Sequence, residues 1–227
     1  MRSRLISAVL IILGIASGLV GNYSNSTPSS SKLLPPSFAF AIWGVIYFTG
    51  LFLAVQLLRA KVQPEGVGVI LISIGYFLSG LWIRVDGHPV AVAVIAVATL
   101  ASNISAIYFL NKTQFESTFL NLISTFPGWI TIATALVIAD AFKVSTSSDA
   151  IVAIYLGASL AVAFVLYKLF APLYGYLGTI TWATFSLTFS KSSLGTPGFL
   201  VSLTAFALSI VLLIAKWQRR NSLKSKF

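Results

Sequence analysis

The side chains that could do chemistry in this chain are few and scattered. Its carboxylates are Glu65, Asp86, Glu116, Asp140 and Asp149, its one histidine is His88, and it has no cysteine. Acid–base catalysis or a metal centre needs such groups to converge on one point. Here every carboxylate falls at or beyond the end of an apolar run, Asp140 lying closest to the interior of one, and His88 sits in the turn Arg84-Val85-Asp86-Gly87-His88-Pro89 with no second ligand nearby. No nucleophile elbow, Gly-rich phosphate loop or metal-ligand spacing occurs. A retinal Schiff base is excluded as well, because Lys216 lies only at the end of the last apolar run. The residues therefore predict no catalytic site and no metal site, and the chemistry left to the chain is recognition by aromatic faces and a few uncharged polar groups.

Those groups have a pattern. Pro35-Pro36-Ser37 closes a polar stretch and opens the run Phe38-Ala39-Phe40-Ala41-Ile42-Trp43-Gly44-Val45-Ile46-Tyr47. Proline lacks the N–H that a first helical turn leaves unpaired, so the pair suits the start of a helix. Trp43 and Tyr47, four apart, share a helix face with Phe40 three residues back. Such a stripe is either an interfacial aromatic belt or the wall of a ligand pocket. Asn103, with Ser102 and Ser105, falls in the middle of another apolar run, where its amide must face the bundle interior and bind another helix or a ligand. Phe126-Pro127-Gly128-Trp129 places a proline where it should kink or break a helix, and backbone freed in this way is tolerated where it lines a cavity.

The elements that must position these residues follow from composition. Of 227 residues, 57% are hydrophobic and only 9% charged, which predicts an all-α polytopic transmembrane bundle. The length accommodates about seven or eight spans of about 20 residues each and leaves no room for a separate soluble domain. The apolar runs are 5–20, 38–58, 67–83, 90–110, 119–142, 150–166, 173–190 and 197–214. The first is read as a retained helix rather than a cleaved signal, since Gly14 and Gly18 at GxxxG spacing suit close helix packing. The same spacing permits a homodimer. Between the first two runs lies an exposed Ser/Asn/Pro-rich loop, 22–37.

The net charge of +10 reflects basic residues at the ends of apolar runs, so it reads as a topology signal and predicts no nucleic-acid partner. With a cytoplasmic amino terminus, Arg2, Arg4, Arg59, Lys61, Lys112, Lys168, Lys216, Arg219, Arg220, Lys224 and Lys226 lie inside, and only Lys32, Arg84, Lys143 and Lys191 lie outside. This asymmetry predicts eight spans with both termini cytoplasmic.

The run Pro35-Pro36 through Trp43-Gly44-Val45-Ile46-Tyr47, Trp82 at the end of the third span, and Trp129-Ile130-Thr131-Ile132-Ala133-Thr134-Ala135-Leu136 in the fifth together resemble the TspO/MBR family of translocator proteins and tryptophan-rich sensory proteins. The resemblance covers about the first five spans. It implies a five-helix core over 1–142, three additional helices over 149–218 and a basic cytoplasmic tail, 219–227. It further implies that Trp43, Tyr47, Trp82, Trp129 and Ala133 line or brace a cavity for flat apolar ligands such as porphyrins and other tetrapyrroles, and that the protein forms homodimers. The chain departs from the family pattern at Ala41, Ser79 and Val137, and its first loop has no tryptophan. A ligand-binding or sensory protein without turnover, its partners the lipid bilayer and an apolar small molecule, is thus the leading expectation. The alternative is a small-solute transporter or channel whose path uses the broken fifth helix and Asn103.

Overall fold

A computed structural model describes residues 2–20, 36–59, 66–85, 87–112, 117–142 and 174–189, with scattered positions between 157 and 165 and between 203 and 214. All the regular structure among them is helical. In chain order the α-helices are α1 Arg2–Val20, α2 Ile42–Leu58, α3 Val67–Trp82, α4 Pro89–Lys112, α5 Ser117–Ile123, α6 Thr125–Ala141 and α7 Tyr174–Thr188. Single-turn 3-10 segments precede α2 (Ser37–Ala41) and follow α3 (Ile83–Val85).

Among the described residues four stretches are long and apolar enough to cross a bilayer: Arg2–Val20, Ser37–Leu58, Pro89–Lys112 and Thr118–Ile138. The apolar α3, with 16 residues, is about 24 Å long before its 3-10 extension. Helices satisfy their own backbone groups, which lipid cannot do for them, so a chain this apolar has few alternatives. The predicted all-α membrane bundle is therefore what forms. The predicted spans 150–166 and 197–214 lie largely outside the described residues, as does the loop 21–35.

α1 packs between α2 and α3, α3 against α4, α4 against α6, and α6 against α7; α7 in turn reaches the 3-10 segment that opens α2. The helices thus follow one another around the bundle. Small residues bring the backbones together. A side chain at Gly14 would overlap the Tyr76 carbonyl, and one at Gly80 would meet the Gly14 carbonyl at 2.5 Å, so α1 and α3 touch main chain to main chain. Gly68 lies in the same way against Leu110 and the Ala106 carbonyl of α4. Without a hydrophobic drive between helices in lipid, such close van der Waals contact is what holds them together. The Gly14/Gly18 seam is used inside the bundle, against α3 and the Tyr47 hydroxyl of α2.

Three local features differ from the sequence expectation or sharpen it. The prolines introduce a 3-10 turn rather than α-helix, with Pro36 as its extended N-cap and the Ala39 N–H donating to the Pro36 carbonyl at 2.9 Å. The fifth span is broken not at Pro127 but at Ser124, between α5 and α6. Pro127 has no N–H to donate to Ile123, so the helix ends there and restarts with proline in its first turn, where no N–H is needed. The segment around His88 is a tight turn as expected. Gly87 holds it with φ of 95°, a conformation that costs glycine little, and the His88 carbonyl accepts from Val92 N–H at 3.0 Å to start α4.

Candidate functional site

The aromatic residues at the start of α2 meet those of α6. Trp43 and Trp129 lie edge to face with ring centroids 6.4 Å apart, and Trp43 also contacts Phe126 at 6.2 Å and its own neighbour Tyr47 at 5.4 Å. Phe40, on the 3-10 turn, meets Trp129 edge-on at 5.9 Å. The stripe expected along one helix is therefore half of a cluster spanning two, and such offset or edge-on geometries are those the ring quadrupoles favour. Trp129 is buried, whereas Trp43, Tyr47 and Ala133 are half-buried and Phe40 is exposed.

Beneath this cluster Tyr76 of α3 continues the ring series, 4.5 Å from Phe126. It is buried in the space that Gly50 of α2 leaves, and its hydroxyl donates to the Ile46 carbonyl at 3.0 Å beside Thr49 Oγ1. Tyr76 thus fixes the height of α2 relative to α3, and with it the position of Trp43 one turn above Ile46. Periodicity marks Tyr76 only as a core position; nothing in its spacing gives away this role.

The other expected residues are placed differently. Trp82 ends α3 half-buried against the hydrophobic core, and among the described ring contacts it makes none with Trp43 or Trp129. Asn103 is 0% exposed and faces α3, where Gly75 leaves it room: a Cβ there would come within 2.5 Å of Oδ1. It does face the interior as expected, but neither Oδ1 nor Nδ2 has a hydrogen-bond partner among the described residues. The neighbouring Ser102 Oγ, by contrast, donates to the Leu71 carbonyl at 2.7 Å across the same interface. The structure thus brings together Phe40, Trp43, Tyr47 and Trp129, and sets Asn103 apart from them against Gly75.

Sequence reasoning missed what α7 contributes. Its Trp182 donates its indole N–H to the Ala39 carbonyl at 3.1 Å and meets Phe38 edge-on at 5.9 Å. The only advance signal was a further tryptophan in an apolar run. α7 is set against the α5–α6 break by that break's own polar groups: Asn121 Oδ1 accepts from the Tyr174 N–H at 2.7 Å and Ser124 Oγ from the Tyr176 N–H at 3.0 Å. First-turn N–H groups have no partner within their helix, so Asn121 of α5 and Ser124 at the break cap α7 from outside. Farther along, the Tyr176 and Thr131 hydroxyls lie 2.9 Å apart.

Chemically the arrangement offers stacking faces, indole and phenol hydrogen bonds and an apolar surround. Among the described residues no group of His, Cys, Asp or Glu could hold a metal ion. Comparison with protein families finds a match to the family described as TSPO-like protein, over residues 4–217. Neither the curated proteins nor the solved structures contain a match.

Proposed function

This chain belongs to the TSPO-like family and is an integral membrane helical bundle; on that premise we propose that it is a ligand-binding or sensory protein, without turnover, for flat apolar molecules of the porphyrin type. The observation that carries this reading is the meeting of Trp43 and Trp129 from separate helices, flanked by Phe40 and Phe126. A macrocycle needs broad aromatic surface on more than one side, and a half-buried cluster between helices supplies it. Trp43, Tyr47, Trp129 and Phe40 are the proposed contacts, with Ala133 one turn beyond Trp129 on α6 and Trp82 bracing the end of α3. Both termini are assigned to the cytoplasm on the distribution of basic residues.

The transporter reading drew on the broken fifth helix as part of a solute path. Ser124 and Asn121 at that break are occupied in capping α7, which supports binding rather than flux. Asn103 is 0% exposed, which supports the same reading.

The test is quenching of intrinsic tryptophan fluorescence by protoporphyrin IX in nanodiscs, with wild type compared with Trp43→Phe, Trp129→Phe and Trp82→Phe, each separately calibrated. Saturable quenching is expected. Losing an indole face from the cluster should weaken affinity by about fivefold, corresponding to about 1 kcal/mol for one large aromatic contact, in the first two variants and by less in the third. Linear quenching without saturation in all four proteins would mean that the porphyrin only partitions into lipid, and the reading would be overturned.

A further inference from the structure

The seams between helices are not built alike. At α1–α3, α3–α4 and α6–α7 a glycine on one helix lies directly against the partner: Gly14 and Gly80, Gly68 and Gly75, and Gly128, while Gly175 of α7 lies against Asn121 of α5. Opening any of these would strip close contacts along the backbones. The seam between α7 and the 3-10 turn Ser37–Ala41 is different. Among the described residues it is closed by ring edges, Phe38 on Trp182 at 5.9 Å and Phe38 on Phe189 at 6.0 Å, and by one hydrogen bond, from Trp182 Nε1 to the Ala39 carbonyl.

This seam also has the right surface on each side. Outward it presents exposed aromatic rings, Phe38 (41%), Phe40 (39%) and Phe189 (53%). Inward it adjoins the binding cluster, because Phe40 on the same turn contacts Trp129. Ala39, between Phe38 and Phe40, is 0% exposed. A flat apolar ligand dissolved in lipid would meet aromatic faces continuously from the outside of this seam to Trp129.

We infer that the seam between α7 and the Ser37–Ala41 turn is the portal through which an apolar ligand passes laterally from the bilayer to the Trp43/Trp129 cluster, with Trp182 as its latch. The ligand's destination rests on the proposed function; the opening of the seam does not. Phenylalanine at position 182 keeps a ring against Phe38 but has no N–H for Ala39, so the closed state loses this polar tie. An indole N–H to carbonyl bond is a modest net contribution in a folded protein, large enough to hold the seam and small enough to be broken thermally.

The absence of cysteine makes a direct test available. A single Ala39→Cys, buried when the seam is closed, is placed in the otherwise wild-type chain and in Trp182→Phe, and its reaction with a membrane-permeant maleimide is timed in nanodiscs. The expected result is a rise of about fivefold in labelling rate when the N–H is removed, the factor for one typical net hydrogen bond. Ala8→Cys on α1, also buried, should label at the same rate in both backgrounds. Equal rates for Ala39→Cys in the two backgrounds, or a parallel rise at Ala8→Cys that marks general loosening, would overturn the portal. Stopped-flow binding of protoporphyrin IX then separates the two levels. Faster association and faster dissociation in Trp182→Phe, with little change in affinity, support the route. Faster labelling of Ala39→Cys with no saturable porphyrin binding in any protein would support the gate and overturn the ligand assignment.

Discussion

A carboxamide sealed inside a membrane bundle without partners destabilises it by about 1–3 kcal/mol, because neither water nor lipid replaces the bonds it has lost. Among the described residues Asn103 is such a group, and Gly75 on the facing helix is what gives it space. The hydroxyls around it fare better because a short side chain can reach a nearby carbonyl. Ser73 Oγ donates to Val69 at 2.7 Å, Thr99 Oγ1 to Ile95 at 2.7 Å and Thr134 Oγ1 across to Ala96 at 3.3 Å. An amide needs a donor and an acceptor together, and the Gly75 surface of α3 supplies neither. Asn103→Leu, similar in size and apolar, is therefore expected to raise stability by about 1–2 kcal/mol, and Gly75→Ala to lower it by displacing the amide. Thermal unfolding in a fixed detergent measures both. A loss of stability in Asn103→Leu would mean that the amide is engaged after all.

Among the elements, the contrast lies between glycines that make seams and glycines that do not. Gly14 lies against the backbone of α3, whereas a side chain at Gly44 on α2 would meet nothing within 4 Å. Gly14→Ala must therefore push α1 from α3, and a loss of about 1–3 kcal/mol is expected from overpacking. Gly44→Ala should be neutral or stabilising by about 0.5–1 kcal/mol, since alanine is the better helix former and has room. Paired thermal unfolding curves decide it; similar behaviour of the two variants would contradict the packing described. The α5–α6 break illustrates the same dependence on neighbours. Pro127 announces an interruption in the sequence, but that Ser124 and Asn121 would use it to cap α7 depends on a helix about fifty residues further along.

For the molecule as a whole, the distribution of charge predicts an orientation. With lysine and arginine concentrated beside alternate ends of the spans, a cysteine introduced at Ser225 in the tail is expected to react with an impermeant maleimide only after cells are permeabilised. One introduced at Ser30 in the first loop should react without permeabilisation. Both cysteines reacting from the same side would require an odd number of spans and would break the eight-span topology. The family match extends over residues 4–217, so it runs past residue 142 and through the region of α7. The described structure agrees in making α7 part of the bundle wall, capped by Asn121 and Ser124 and tied to the 3-10 turn before α2.

What the sequence determined by itself was the class and the coarse layout. A chain this apolar, with its charges at the ends of the runs, can only satisfy its backbone in lipid as helices, and the first four spans match the helices to within a few residues. The stripe Phe40, Trp43 and Tyr47 was also legible, because periodicity puts aromatic residues on a face, whereas Trp129 entered only through the resemblance to the family. Which face met which was not legible. Periodicity describes one helix at a time, whereas the Trp43–Trp129 contact, the orphaned Asn103 amide, the use of Gly14 within the bundle and the Trp182 bond to Ala39 each depend on how two helices are rotated and set in height against one another. That is decided by the summed close packing of small residues and by tertiary hydrogen bonds such as Tyr76 to Ile46, which no single stretch of sequence contains.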